Sequence, residues 1–406
     1  TRGDFILTQS LGFARRSGSM RPMAAVIVRA LRVSRPSPSA VIYAIAATAK
    51  VGLRRVPRRA SDKPARDGKV LRVLMSPGTS NVDDNPFVGL LVQSLPPDIR
   101  VEEFGWKQAF FGMYDVLHIH WPEHVLRGGS PLRSALKELA FLALLLRNRF
   151  AAAHVRTVHN VRPHEAGTRL NRLVLSAWER SCVVSVYLSD AGRLAAPAPG
   201  GERNAVTILH GDYRPFLDRS LTDSVEPASG RLLAFGYLRP YKGFEQLIGA
   251  MATTDPGSGL SLKIAGRALP PSYGAELVEL SRDDGRIDIV LGRLGDRELL
   301  SEIKQARAVV LPYRQVYNSG AALLALTANR PIIVTASPTM DELALEVGEE
   351  WVRRVSDWSA QTLMQAVSNL PDVSSSPDLS RRTWGVLGGE YADVYRSAAS
   401  RSRSAA

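Results

Sequence analysis

Short apolar runs recur along the chain from Val70 onward, each followed by a longer stretch whose apolar residues fall three and four positions apart. The first set is Leu71 to Ser76, Val101 to Phe104, Val116 to His120, Val155 to His159, Val183 to Leu188 and Val206 to Leu209. A second set begins after Tyr213: Leu232 to Phe235, Ser261 to Ala265, Ile287 to Leu291, Ala308 to Leu311 and Ile332 to Val334. Runs this short, rich in Val, Ile and Leu, read as strands, and their alternation with helical periodicity predicts parallel sheets joined by crossover helices. Leu132 to Arg149 reads as one such helix; its eight-residue apolar run, Leu139 to Leu146, is too short to span a bilayer and points to a buried face. Pro, Ser, Asp and Gly crowd Arg214 to Gly230, which reads as a linker. A second break, Pro371 to Pro377, precedes a last helix over Leu379 to Ala398, and the tail Ser397 to Ala406 is expected to be disordered. No repeat of fixed period is visible.

Two Rossmann-like α/β domains follow, and 406 residues suit two domains of ordinary size. The division expected is a basic, partly apolar segment over 1–69, one Rossmann-like domain over 70–214, a second over 215–378, and a last helix with its tail over 379–406. Charge sharpens the first boundary. Residues 1 to 70 hold 15 Lys and Arg against 3 Asp and Glu, whereas the remaining 336 hold 37 against 36. A nearly neutral body without a basic stripe argues against a nucleic-acid partner. The basic segment carries two apolar runs, Met23 to Val33 and Ala40 to Ala49, with arginines on both sides. Neither is long enough to span a membrane, and the flanking charge suits a surface anchor on anionic lipid; a disordered or untranslated leader is the alternative. The single Cys182 excludes an internal disulfide framework and fits a reducing cytoplasm.

Gly236-Tyr237-Leu238-Arg239-Pro240-Tyr241-Lys242-Gly243 lies between a strand and the helical pattern Phe244, Leu247, Ile248, Met251. A helix start offers unpaired N–H groups and a positive dipole end, and Arg239 and Lys242 add full charges where a diphosphate would lie; an ordinary solvated turn is the plainer reading. Further on come Val309 to Tyr313, then Asn318-Ser319-Gly320-Ala321, a helical stretch, and Arg330 to Val334. This pairing resembles the GT-B glycosyltransferases, in particular family 4 and its exopolysaccharide-type, mannosyltransferase-like relatives. Gly236, Leu238, Pro240, Lys242 and Gly243 match that family's Gly-Arg-Leu-x-Pro-x-Lys-Gly turn. Tyr237 stands where the family has arginine, so Arg239 is expected to supply that charge. The family's two later glutamates are missing, and Asn318 and Ser319 are the polar replacements.

Six of the seven histidines lie between His118 and His164. Strand alternation through Asp115 to Glu123 puts His118 and His120 on one face and Trp121 on the other. The family's Asp-Val-x-His-x-His segment is similar, and the resemblance implies His120 as the leading active-site residue. Thr157-Val158-His159-Asn160, followed by Pro163-His164-Glu165, resembles the exopolysaccharide-type members. Ser76 to Ser80 with Asn85-Pro86-Phe87 resembles the first-strand loop of GT-B enzymes, where Gly78 would allow close backbone approach. His210-Gly211-Asp212-Tyr213 ends the last strand before the linker, with hinge and sugar-binding roles both open. A zinc site using His120, His159, His164 and Glu123 is the competing reading, but scattered loops lack helical ligand spacing. Asp83-Asp84 and Asp283-Asp284 offer no magnesium motif, so no metal or other cofactor is expected.

The resemblance implies a GT-B fold: an acceptor domain over 70–214 and a nucleotide-sugar domain over 215–378 facing a cleft, with the last helix crossing back to the first. It implies an enzyme of the hexosyltransferase class, EC 2.4, moving a hexose, with GDP-mannose suggested, from a nucleotide-diphosphate sugar to a lipid-linked or glycan acceptor in exopolysaccharide biosynthesis. Its place would be cytoplasmic, peripheral at the inner membrane face. Catalytic candidates are His120, His159, Glu123 and Glu165. Donor candidates are Gly236, Arg239, Lys242, Gly243, Asn318, Ser319 and Gly320, and the acceptor side has Gly78, Asn85, Trp121, Asn160, His164 and His210. Inversion needs a base from Glu123, His159 or Glu165, whereas in retention the leaving phosphate would serve and His120 would position the sugar. A sugar-nucleotide epimerase of the same fold and a non-catalytic nucleotide-sugar-binding protein are the alternatives.

Overall fold

The apolar runs fold into two six-stranded, wholly parallel sheets in the computed structural model, which describes residues 70–78, 86–149, 151–159, 167–219, 228–314, 319–371 and 375–404. The basic segment 1–69 lies outside the described residues, as do Asn85, Asn160, His164, Glu165 and Asn318. Strands buried on both faces need apolar side chains on both, which is why they read as continuous runs.

The first unit begins β1 (Leu71–Ser76), α1 (Phe87–Ser94), β2 (Ile99–Glu103), α2 (Trp106–Phe111), β3 (Val116–Ile119) and α3 (Pro122–Leu126). It continues with α4 (Pro131–Asn148), β4 (Ala153–Val158), α5 (Arg169–Ser181), β5 (Val184–Tyr187) and, after α6 (Asp190–Ala195), β6 (Ala205–Thr207). The strand order is β2-β1-β3-β4-β5-β6. Ser130 caps α4 by accepting the Arg133 N–H, and Pro131 occupies the first turn, where its missing N–H costs nothing. The apolar run of α4 turns Ala140, Phe141, Leu144 and Leu145 into the core against Val174 and Trp178 of α5. Helical periodicity leaves Leu146 62% exposed, so the buried stripe is narrower than the run. Phe141 and Trp178 are wholly buried, and burial of Phe141 stabilises the unit by about 1.5–3 kcal/mol.

The second unit takes α6 together with Leu209–Val386. It runs α7 (Arg214–Arg219), β7 (Arg231–Phe235), α8 (Phe244–Ala252), β8 (Ser261–Gly266), α9 (Pro271–Ser281), β9 (Ile287–Leu291) and α10 (Asp296–Gln305). After these come β10 (Ala308–Leu311), α11 (Gly320–Thr327), β11 (Ile332–Thr335), α12 (Pro338–Val347), β12 (Val352–Val355) and α13 (Ala360–Ser368). The order is β12-β11-β10-β7-β8-β9. Both sheets are thus doubly wound, with the strand order reversing between β1 and β3 in the first and between β7 and β10 in the second. Ligands of such sheets bind beyond the carboxyl ends of the strands at those reversals.

Three expectations need correction. β12, absent from the periodicity reading, is an edge strand of sequence Val-Arg-Arg-Val; Arg354 pairs with Asp341 and Glu349 instead of facing a core, so no apolar run marks it. The last helix, α14 (Trp384–Ser404), starts later than Leu379, behind a 3-10 turn at Ser380–Arg382, and extends through most of the tail expected to be disordered. Buried Ala398 and Ala399 and the Arg396 guanidinium on Asp98 hold that tail to the first unit. The stretch taken as a linker opens with a helical turn, α7. No helix of the described residues is long and apolar enough to cross a membrane.

Candidate active site

In the first unit the reversal between β1 and β3 is closed by the His120 N–H, which donates to the Ser76 carbonyl at 2.9 Å. The alternation of β3 puts His118 and His120 on one face, their rings 4.2 Å apart, yet their environments separate them. His118 is wholly buried and fully engaged, with Nδ1 at 2.8 Å from the Tyr395 hydroxyl of α14 and Nε2 at 2.9 Å from Thr157 Oγ1. Burial, with His120 and His159 as neighbours, holds its pKa well below the usual value. It is a strut between β3, β4 and α14.

His120 follows the strand and is equally buried, but only Nδ1 has a partner, His159 Nε2 at 3.1 Å. Its Nε2 is buried without a hydrogen-bond partner. Burial pushes the His120 pKa down to about 3, so its ring is neutral near neutral pH and one of the facing nitrogens must donate to the other. His159, half-buried beyond β4, stacks on Trp121 at 4.0 Å and 24°. Phe87, the first residue of α1, meets both imidazoles edge-on at 5.7 and 5.3 Å. The structure therefore brings His120, His159 and Trp121 together, with Trp121 packed on a candidate base. Glu123 lies half-buried in the first turn of α3, and Gly78 is buried just past β1. Among the described residues no group of three or more His, Cys, Asp or Glu side chains is placed to hold a metal.

In the second unit the cationic turn leaves β7 at the other reversal. Gly236 and Gly243 flank it with φ of 109° and 69°, a region that L side chains adopt at a cost, and Gly243 turns the chain directly into α8. Pro240–Lys242 forms a 3-10 turn that folds the lysine back over the end of β10. There Lys242 Nζ donates to the Tyr313 hydroxyl at 3.2 Å and lies 4.4 Å from the centre of its ring. Desolvation lowers the Lys242 pKa to about 8. The Arg239 guanidinium lies 5.9 Å from the centre of the ring of Tyr237, the residue that stands where the family pattern has arginine.

Ser319 caps α11, its Oγ accepting the Ala322 N–H at 3.1 Å, and Gly320 opens the helix. A side chain at 320 would have no room: a Cβ there would stand 2.7 Å from the Tyr213 hydroxyl and 3.9 Å from His210 Nε2. His210 Nδ1 donates to the Gly211 carbonyl at 2.9 Å, which leaves the proton off Nε2, and burial lowers its pKa to about 4. Arg382, itself paired with Glu346, donates to the His210 carbonyl, and Trp384 Nε1 to the Asp212 carbonyl, fixing this segment against the helix start. His210, Tyr213, Ser319 and Gly320 thus converge on one helix N-terminus, a natural anion site. Tyr213 and Phe87 lie in segments that the sequence points to, but neither side chain is singled out there. Tyr313 sat within a quoted motif, but nothing local marks it as Lys242's partner.

No protein-family model matches the chain. Over 341 residues, 83% of this chain and 95% of the relative, it is 32% identical to the GDP-mannose:glycolipid 4-beta-D-mannosyltransferase of Xanthomonas campestris pv. campestris. Among solved structures it resembles AviGT4, a glycosyltransferase involved in avilamycin A biosynthesis, at TM-score 0.53 and 20% identity over 82% of this chain and 98% of that one. Sucrose-phosphate synthase from Thermosynechococcus elongatus aligns at TM-score 0.52 and 18% identity over 82% and 97%. Anabaena HepE, solved with UDP, aligns at 0.50 and 14% over 82% and 98%. The two doubly wound sheets and these likenesses establish the GT-B fold, and the chain belongs to the family of the Xanthomonas mannosyltransferase as a nucleotide-sugar-dependent hexosyltransferase.

Proposed function

We propose that the protein transfers mannose from GDP-mannose to a glycolipid, forming a β-linkage, in the building of a cell-surface polysaccharide. The observation that carries this reading is the similarity to a mannosyltransferase of that description along 95% of its length. The chemistry of the chain's own groups agrees. In GDP-mannose the sugar is α-linked, so a β-linked product requires inversion and a base for the acceptor hydroxyl. The His120–His159 pair takes that proton as the acceptor oxygen bonds to the anomeric carbon. The bond from that carbon to the β-phosphate breaks at the same time, and its electron pair leaves on GDP. Positive charge then rests on His159, where the Trp121 face 4.0 Å away stabilises it. Lys242, Arg239 and the start of α11 hold the diphosphate and stabilise the charge it gains. Glu123, and Glu165 outside the described residues, remain second candidates for the base.

The acceptor's lipid calls for work at the cytoplasmic face of a membrane. The excess of basic residues in 1–70 supports anchoring there through anionic headgroups. The test is incubation with labelled GDP-mannose and, separately, labelled UDP-hexoses in the presence of membrane lipid extract. Label should enter lipid from GDP-mannose alone and be released by β-mannosidase. Label in lipid from a UDP-sugar, an epimerised nucleotide sugar, or binding without turnover each overturns the proposal.

A further inference from the structure

The two charged-side elements of the second unit meet at its strand-order reversal: the turn after β7 brings Lys242 and the end of β10 brings Tyr313, residues 71 apart in sequence. Tyr313 is 7% exposed and packed edge-on against Phe244 at the head of α8, so its ring is fixed. Its hydroxyl accepts a hydrogen bond from Lys242 Nζ, its one hydrogen bond among the described residues. An accepting phenol still has its own proton to give. Desolvation raises the Tyr313 pKa, so the proton stays on the oxygen throughout the neutral range. The ring beneath the ammonium also restrains a flexible side chain that would otherwise be ordered only on binding.

We infer that Tyr313 is a diphosphate-binding residue of the donor site, which aims the Lys242 ammonium and donates its own hydroxyl proton to a phosphate oxygen of the nucleotide. The inference rests on the reading of Lys242 as a donor-diphosphate ligand. It accounts for a feature that lysine alone does not: a tyrosine hydroxyl buried at the mouth of the sheet whose partner among the described residues is cationic. The pair forms one donor surface, an ammonium and a neutral O–H, matched to the several acceptor oxygens of a diphosphate.

The experiment measures GDP and UDP binding by calorimetry to the full-length protein and to its Lys242→Ala, Tyr313→Phe and double variants, using whichever nucleotide the parent binds more tightly. Tyr313→Phe keeps the ring and should melt within a few degrees of the parent, yet bind roughly 10-fold more weakly. Lys242→Ala should lose roughly 10- to 100-fold, and the double variant less than the product of the two losses, because the residues act on one ligand together. The corresponding nucleoside monophosphate should lose less on Tyr313→Phe than the diphosphate does. Parent-like binding by Tyr313→Phe beside a weakened Lys242→Ala overturns the inference and leaves Tyr313 a packing residue. Parent-like binding by Lys242→Ala, or no nucleotide binding by the parent, overturns the underlying reading as well. Should Tyr313→Phe fold poorly, Tyr313→Gln, which keeps an acceptor and a donor, answers the same comparison: affinity no better than that of Tyr313→Ala refutes the hydrogen-bonding role.

Discussion

His118 and His120 occupy one strand face with rings in contact, yet replacing each by alanine should have opposite signatures. His118→Ala removes two buried hydrogen bonds, to Tyr395 and Thr157. Thr157 retains Tyr391 at 3.4 Å, but the Tyr395 hydroxyl is left buried and unpaired, at a cost of about 1–3 kcal/mol. The vacated imidazole volume adds a cavity term, for a total on the order of 3–5 kcal/mol. His120→Ala loses one hydrogen bond, to a His159 that is half-exposed and can be rehydrated, and Nε2 had no partner to lose. The cavity term applies here as well, since His120 is equally buried, and about 2–3 kcal/mol is expected. At roughly 2–4 °C per kcal/mol for a domain of 150–250 residues, the melting shifts are about 6–20 °C and about 4–12 °C respectively. Turnover should reverse that order. His120→Ala should lower kcat roughly 100-fold or more, as removal of an acid–base group does, while His118→Ala, assayed well below its melting point, stays within several-fold of the parent. Calorimetry gives the shifts, and label transfer at 15 °C gives the rates. A His120→Ala protein with parent turnover and a large melting shift would refute the assignment, since the orphaned nitrogen would then be only a packing defect.

Gly320→Ala should lose roughly tenfold or more in nucleotide affinity, because the new Cβ falls 2.7 Å from the Tyr213 hydroxyl; adding Tyr213→Phe should restore part of it, and no rescue means the gap serves something else. Acid should destabilise the fold. His120, with a folded pKa of about 3, and His154 and His210, at about 4, stay neutral in the native state while the unfolded chain takes up protons below about 6.5. Their stabilisation is fully present above that pH and is lost as pH falls toward about 4, by up to about 1.4 kcal/mol per pH unit for each group; a melting temperature flat from pH 7 to 5 contradicts this. Nucleotide affinity should weaken as pH rises through about 8, where the Lys242 ammonium loses its proton, and this dependence should vanish in Lys242→Ala. A shortened chain beginning at Lys69 should fold but lose binding to anionic vesicles at low salt; undiminished co-sedimentation rejects the anchor.

The strands were legible wherever both faces are covered. Leu71–Ser76 and Ala308–Leu311 match the apolar runs end to end, because a buried parallel strand has no polar face to disguise it. Legibility failed where the partner is remote or the surface is wet. β12 hides two arginines in a four-residue edge strand, and the tail of α14 looks solvated until Arg396 meets Asp98, 298 positions away. The site divides along the same line. Alternation in β3 places two histidines on one face, but only the arrival of Tyr395, 277 residues on, makes one of them a strut.

The glutamates that the family pattern carries around α11 are missing, and the structure shows what stands in that space. α11 opens with Gly320, Ala321 and Ala322, residues too small to present a hydrogen-bonding side chain, and is then apolar and buried as far as Thr327, whose hydroxyl accepts the Tyr213 N–H. Small residues there let Tyr213 come within contact of the helix start from the segment after β6, with His210 beside it. At the neighbouring reversal Tyr313 leans on Lys242. Neutral phenols donate where carboxylates only accept, so the donor site we propose would favour the anionic end of the nucleotide over the hydroxyls of its ribose. If that is the logic, affinity should depend on the diphosphate more than on the nucleoside, and inorganic diphosphate should compete with the nucleotide for binding. Failure of diphosphate to compete, beside strong competition by the nucleoside alone, would show that the ribose contact persists through groups other than these tyrosines.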